Sequence, residues 1–255
     1  MLSYAESGFF VLTALVGSTF ILALLNRIWP ISHRKLVNDV TGWQLGILGT
    51  TYGVIIGFML YTVWTDFHVA EINANLEASA LLRVSRIAAG LPSPEREALH
   101  ALGLKYAEAV INVEWPSMQV QRDSHASEVV LGEMWKVLTD AKSGSSGTDS
   151  SAVSLDHMTN ALSDLSERRN LREQELQVRL PMILWVLLVA GAGATVGSSC
   201  LLGNDSKWLH YCQVLALTFV VSVTLAAIAD LARPFEGAVS VSPVAFQRAQ
   251  EMMDR

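Results

Sequence analysis

Four long runs of this sequence carry no Asp, Glu, Lys or Arg, and they constrain the fold more than any other feature. They occupy residues 7–26, 40–65, 180–204 and 208–229. A helix needs about 20 predominantly apolar residues to cross the hydrocarbon core of a bilayer. Four such helices inside a soluble protein would leave too little chain to cover them. We therefore predict four transmembrane helices, at residues 7–29, 40–65, 180–203 and 208–231.

The composition agrees with a membrane protein and excludes several other classes. Hydrophobic residues make up 51% of the chain and charged residues only 16%, whereas soluble proteins carry about 25% charged residues. A net charge of −6 argues against a nucleic-acid partner. The six histidines show no metal-ligand spacing and no catalytic motif is present, so we predict no enzyme, no metal and no cofactor. Cys200 and Cys212 could form a disulfide across the last short loop, but two separate thiols are the simpler interpretation.

The segment between the second and third runs is polar and has helical periodicity. Apolar residues recur at helical spacing directly after the second run, so we expect one helix to continue to about residue 90; they are Val69, Ile72, Leu76, Val84 and Ile87. Residues 66–179 are predicted to form a helical extramembrane region, with a Ser/Gly-rich flexible linker at 143–151. Residues 232–255 form a C-terminal tail. The predicted fold class is an all-α integral membrane protein with a helical bundle between spans 2 and 3.

The second span has two different faces at 100° per residue. One is a stripe of small residues suited to close helix packing: Gly42, Gly46, Gly49, Gly53 and Gly57. The other is polar and aromatic, and its members are candidate pore-lining residues: Gln44, Thr51, Ile55, Phe58, Thr62 and Asp66. Ordinary packing of this second face against a neighbouring helix is an equally good interpretation.

Several short motifs, in this order, resemble a known family. They are Asn38-Asp39 before the second span, Glu114-Trp115-Pro116 in the polar region, and Arg233-Pro234-Phe235 with Gly237 after the fourth span. Together they resemble a bacterial membrane family described as having a bestrophin-like domain. The likeness to bestrophins themselves is more distant, and it covers the order of elements rather than individual residues.

The resemblance implies a function and an assembly. Bestrophins are pentameric anion channels with four membrane helices per subunit, and their second helix lines the pore. By this likeness we expect a homo-oligomeric channel for small anions, in which Ile55 and Phe58 form an apolar constriction and Arg34 and Lys35 lie near a mouth. No acidic run follows Gly237, so calcium gating is not expected.

Two further expectations remain open at this point. Charge near the spans does not decide the orientation, but the resemblance favours a multi-pass inner (plasma) membrane protein with the bundle and both termini in the cytoplasm. The alternative function is a non-conducting membrane scaffold whose helical region docks a partner protein.

Overall fold

The computed structural model describes residues 4–122, 124–144, 149–237 and 239–255, and the regular structure in these ranges is helical. The α-helices are α1 (Tyr4–Ile28), α2 (Ile31–Lys35), α3 (Asn38–Ala88), α4 (Ser93–Ala109), α5 (Trp115–Gln119), α6 (Ala126–Gly144), α7 (Asp149–Gln177), α8 (Met182–Leu201), α9 (Lys207–Leu231) and α10 (Val244–Met253). A π-helical segment, Val110–Glu114, joins α4 to α5. The predicted all-α fold class is confirmed.

Four of these helices are long and apolar enough to cross a membrane: α1, α3, α8 and α9. Helices α1, α8 and α9 and the first part of α3, up to Asp66, belong to one compact unit formed by residues 1–66 and 179–232, which we call the membrane unit. Its interior is small and apolar, with Tyr52, Met59 and Val63 of α3 packing against Leu188 of α8 and Ile228 of α9. Many large apolar side chains on these helices are exposed, as expected for segments that cross a bilayer.

The second compact unit, here the helical unit, comprises residues 67–178 and 233–255. Its core combines side chains from every helix in these ranges, among them Leu81, Leu99, Met134, Leu162 and Phe246. A core of this extent explains why the unit can form from short helices, because burial of apolar side chains is the main favourable contribution to folding.

Two segments differ from the expected linker and tail. Helix α6 continues through Gly144 and α7 begins at Asp149, so only residues 145–148 of the predicted linker lie outside the described residues. In the predicted C-terminal tail, α10 buries Phe246, Ala249 and Met253 in the core of the helical unit. The tail is therefore an integral part of that unit.

The part of α3 in the helical unit packs only the later members of the apolar stripe seen in the sequence, Val84 and Ile87, in the core. Val69, Ile72 and Leu76 remain exposed, whereas Ala70 and Leu81 are fully buried. Alanines at this face let neighbouring helices approach closely. Val69, Ile72 and Leu76 are left without a cover in the single chain.

Candidate pore helix and buried charge network

The predicted pore-lining edge of α3 is mostly open in one chain. Gln44, Thr51, Phe58 and Thr62 are exposed, and Ile55 and Asp66 are half-buried. Phe58 is 70% exposed, while Ile55 packs against the interior of the membrane unit. The hydroxyl of Thr62 donates to the backbone oxygen of Phe58 over 3.0 Å, the usual arrangement for Thr in a helix. A role in lining a pore stays a prediction for this edge.

The glycine stripe of α3 is also uncovered. A methyl group added to any of its five members would meet no heavy atom within 4 Å beyond the helix itself: Gly42, Gly46, Gly49, Gly53 and Gly57. The described chain therefore does not make the close packing that this stripe predicts. Only a second copy or another molecule could make it.

The close helix approach within the membrane unit occurs at Tyr52, on a third face of α3. Its hydroxyl donates to the backbone oxygen of Leu188 over 3.1 Å, and its ring lies over Gly191 of α8. A Cβ on Gly191 would lie 2.5 Å from ring atom Cδ2 of Tyr52, closer than van der Waals contact allows. A glycine is therefore needed at position 191, because the ring of Tyr52 occupies the space that a side chain there would fill.

This packing gives a testable expectation for two glycines on the same helix. Gly191→Ala is expected to lower the stability of the membrane unit by about 1–3 kcal/mol, because an added methyl group in a filled site forces neighbours apart. Gly193→Ala is the control, since its Cβ would meet no atom within 4 Å. Thermal unfolding of both variants in detergent measures the difference. Equal unfolding temperatures would show that Tyr52 does not fill the position next to Gly191.

The motif residue Asn38 joins the start of α3 to the loop after α8. Its amide nitrogen donates to the backbone oxygen of Gly203 over 2.7 Å, and its amide oxygen accepts from the Gly203 N–H over 2.8 Å. The glycine is required here, because a Cβ would lie 2.8 Å from the backbone nitrogen of Lys35. The neighbouring motif residue Asp39 is exposed. Asn38 thus acts through a long-range contact that the sequence did not indicate.

Arg34 is fully buried, which corrects its expected place near a pore mouth. Its guanidinium donates to the backbone oxygen of Cys200 over 3.0 Å and to the side-chain oxygen of Asn26. Cys200 is in the last turn of α8, where a cation interacts favourably with unpaired carbonyl groups. Desolvation by burial lowers the pKa of Arg34. Lys35, the other expected mouth residue, pairs with the exposed Asp205.

The helical unit contains a buried charge network centred on Arg172 of α7. Its guanidinium donates to the carboxylate of Glu77 over 2.6 and 3.2 Å and to that of Glu114 over 2.6 Å. The three side chains are at most 2% exposed. Tyr106 donates its hydroxyl to Glu77 over 2.7 Å. One arginine thus links α3, the π-helical segment and α7 by charge-assisted hydrogen bonds, which are stronger than neutral ones.

Burial affects the protonation of this network. Burial by itself would lower the pKa of Arg172, but the carboxylates of Glu77 and Glu114 raise it above its ordinary value, so the guanidinium stays charged. Burial, followed by the charge of Glu77, raises the pKa of Tyr106 well above its ordinary value. The tyrosine is therefore a neutral donor throughout the physiological pH range.

The π-helical segment explains why the motif Glu114-Trp115 faces the core. A π-turn contains one residue more than an α-turn, so the side chains that follow it point in a different direction around the helix axis. Such turns are rare in proteins as a whole, but those that occur are often at functional sites. Glu114 ends the segment and is buried, and the next residue Trp115 is buried as well. Pro116 is exposed. The sequence motif alone does not reveal this change of phase.

Trp115 connects the charge network to the chain that follows the fourth span. The Phe235 ring packs edge-on at 5.6 Å between ring centres, and Phe246 lies at 5.7 Å. The indole N–H donates to the backbone oxygen of Val241 over 3.1 Å, and the guanidinium of Arg172 lies 5.8 Å from the ring centre. Two of the three sequence motifs therefore meet in the helical unit.

The turn that holds Phe235 uses the rest of the third motif. The Val241 N–H donates to the backbone oxygen of Pro234 over 2.7 Å. Gly237 has a φ of 81°, a conformation open mainly to glycine. Arg233 pairs with Glu236 over 3.2 Å. These contacts place Phe235 against Trp115.

Other chemistry is limited in the parts of the chain that the structure describes. No group of three or more His, Cys, Asp or Glu side chains there could hold a metal ion. Cys200 and Cys212 are free thiols, the first buried and the second exposed.

The fold and the four apolar helices define a multi-pass, all-α membrane protein. The sequence matches the family model of the Bestrophin-like domain over residues 9–246. The chain belongs to the bestrophin-like family, and the resemblance seen in the motifs is confirmed. No curated protein matches the sequence.

Solved structures show the same fold. A mutant bacterial bestrophin homologue from Klebsiella pneumoniae is similar with a TM-score of 0.72 at 10% identity, covering 97% of both chains. A second mutant of that homologue gives 0.72 at 11% identity, covering 98% of this chain and 100% of the other. A further structure of it gives 0.68 at 12% identity, covering 97% and 95%. At this level of identity the similarity establishes the fold alone.

Proposed function

We propose that this protein is the subunit of a homo-oligomeric ion channel, selective for small anions, in which α3 lines the pore. The observation that carries the proposal is the uncovered state of α3. Its polar and aromatic edge, with Phe58 and Thr62, and its glycine stripe both lack a partner in the single chain. Copies arranged around an axis would cover the glycines by close packing and leave the other edge facing a shared lumen.

The part of α3 beyond the membrane unit supports assembly independently. Val69, Ile72 and Leu76 are exposed, although they belong to the helical unit, which we propose to lie outside the bilayer. An apolar stripe in water is unfavourable and marks a protein contact. A second copy of this chain is the occupant that fits, because the stripe follows the same side of the helix as Phe58 and Thr62, which copies arranged around an axis would turn toward one another.

Anion selectivity, a pentameric state and the orientation rest on the family likeness. We place the protein in the inner (plasma) membrane, with the helical unit and both termini in the cytoplasm. Within the pore, Phe58 and Ile55 would form an apolar constriction that closes by losing its water. Lys35, paired with Asp205 outside the spans, is the remaining basic candidate near a mouth.

Ion flux through reconstituted protein tests this proposal. Liposomes containing the full chain are expected to pass chloride faster than potassium. Phe58→Ala is expected to raise chloride flux about tenfold, because a fall of only about 1.4 kcal/mol in the barrier at a constriction is sufficient for that change. The control is Phe219→Ala on α9, which removes the same exposed ring from another span.

The outcomes separate this proposal from its rival. No flux from wild type, Phe58→Ala or Phe219→Ala would contradict a channel and leave the membrane scaffold as the better interpretation. Flux of potassium over chloride would retain the channel and contradict anion selectivity. An equal rise in both phenylalanine variants would show that α3 is not the lining helix.

A further inference from the structure

A second arginine of α7, Arg169, is surrounded by more carboxylates than it can bind at once. It is 3% exposed, and its guanidinium donates to both oxygens of Glu173, over 3.0 and 2.5 Å. The Nη2 atom of Arg169, which forms the shorter of these bonds, also lies 3.6 Å from a carboxylate oxygen of Glu128 and 3.8 Å from one of Glu114. Arg169 is thus fully bonded to one carboxylate and within a small movement of two others.

A hydrogen bond to Ser127 links the side chain of Arg169 to the first turn of α6. Its Nε donates to the hydroxyl of Ser127 over 2.8 Å, and that hydroxyl donates to Glu114 over 2.7 Å. The N–H of Ser127 also donates to Glu114, over 2.8 Å. The guanidinium is planar and rigid, so it would swing as one unit from Glu173 toward Glu128, and the rotatable hydroxyl of Ser127 could follow its Nε.

The current partner is the carboxylate best placed to change its charge. Glu173 is partly exposed and lines a cavity of about 80 Å³ with Glu114, Ser124 and Arg172. A cavity of this size and polarity can admit a few waters, so protons can reach the carboxylate. Burial raises the pKa of Glu173, although the charges of Arg169 and Arg172 lower it.

The charged groups around Glu173 come from every element packed against it. Arg169 and Arg172 share its helix, Glu114 comes from the π-helical segment, and Glu128 from α6. His125, just before α6, has its Nδ1 4.0 Å from Glu173 and 3.1 Å from Glu128. Glu77 of α3 is bound to Arg172. Among these groups, the side chains of His125 and Glu128 are exposed and that of Glu173 is partly exposed.

We propose that Arg169 is a proton-controlled switch, which binds Glu173 when that carboxylate is charged and turns to Glu128 and Glu114 when it is protonated. In the first state Arg169 contacts the first turn of α6 through Ser127, and in the second state a closer ion pair with Glu128 is added. It does not depend on conduction, so it can be tested whether or not the protein is a channel.

The direction with pH follows from the charges. As pH falls, Glu173 takes up one proton, and Arg169 then gains more from the charged Glu128 than from a neutral acid. Uptake of a single proton changes the ratio of the two states by at most about tenfold per pH unit. Glu173→Gln keeps the shape of the protonated acid and should hold the switch in its low-pH state at every pH.

Structures of the full chain in nanodiscs, determined by electron cryomicroscopy at about pH 8 and about pH 5, test the exchange directly, since ordinary carboxyls are ionised at the first and begin to protonate at the second. Arg169 is expected on Glu173 at high pH and on Glu128 at low pH. In parallel, hydrogen exchange corrected for its intrinsic pH dependence should show stronger protection of residues 126–131 at low pH. Arg169 on Glu173 at both pH values would overturn the proposal.

Four variants exclude other causes. Glu173→Gln should remove the pH response of residues 126–131, whereas Glu167→Gln, which changes an exposed carboxylate of the same helix, should retain it. Glu128→Gln should remove the added protection of residues 126–131 at low pH and leave their exchange at high pH unchanged. His125→Gln should leave the response intact; if it abolishes the response, the histidine and not Glu173 is the sensor. A Glu173→Gln response equal to that of Glu167→Gln would likewise overturn the switch.

Discussion

Arg172→Leu is expected to lower the free energy of unfolding of the helical unit by about 3–5 kcal/mol, the range for removing one partner of a buried ion pair. The loss is large because Glu77 and Glu114 would both keep their charges away from water without the guanidinium that binds them. Native-state hydrogen exchange of the full chain measures it, through the slowest amides of the helical unit.

Arg168→Leu is the matched control for this substitution. Arg168 is one turn away on α7, partly exposed, and pairs with Asp164 over 3.4 Å. Exposed pairs contribute about 0–1 kcal/mol, so this variant should be nearly as stable as wild type. Glu77→Leu combined with Arg172→Leu should lose less than the two single losses added together, because a charge and its partner are removed together. Equal losses for Arg168→Leu and Arg172→Leu would show that the network does not stabilise the unit.

The membrane helices could be predicted from the sequence because the bilayer imposes a simple rule. A backbone inside lipid must satisfy its own hydrogen bonds, so each span is an uninterrupted apolar helix that is visible in one stretch of sequence. The runs around Phe20, Ile55, Leu188 and Phe219 meet that rule locally, and each lies in one of the four candidate membrane helices. No knowledge of distant contacts was needed.

The buried network could not be predicted, because its pairs are distant in sequence. Glu77 and Arg172 are 95 residues apart and each looks like an ordinary charge on a polar helix. The π-helical segment changes the direction in which Glu114 and Trp115 point around the helix axis, and the α-helical spacing of apolar residues in the sequence does not show this change. The motif Glu114-Trp115 was nevertheless a usable signal, since a carboxylate next to a tryptophan is unusual at a helix end.

The burial of Arg34 could not be predicted from its place in the sequence. A basic residue between two spans is ordinarily exposed near the headgroups, and the sequence offers nothing to distinguish it from Lys35. The fold buries it under the last turn of α8 instead. The faces of α3 show a different limit: Phe58 and the glycines are uncovered in one chain, so the contacts of a single chain do not reveal their roles.

Trp115→Ala is expected to lower the free energy of unfolding of the helical unit by about 3–5 kcal/mol, the range for truncating a large buried aromatic side chain. The substitution removes the ring between Phe235 and Phe246 and leaves the Val241 oxygen without its donor. Because residues 233–255 reach the core through these contacts, hydrogen exchange should accelerate most in α10, and limited proteolysis should cut there first.

Trp208→Ala controls for the loss of a tryptophan, since Trp208 is 79% exposed at the start of α9. Its exchange and proteolysis patterns in the helical unit should match those of wild type. Trp115→Phe keeps an apolar ring and loses the N–H, so it should fall between Trp115→Ala and wild type, by about 1–3 kcal/mol for the unsatisfied Val241 oxygen. If α10 stays protected in Trp115→Ala, the C-terminal segment is anchored by other contacts, such as that of His100 with the Met253 oxygen at 3.0 Å. The tryptophan motif would then serve the charge network alone.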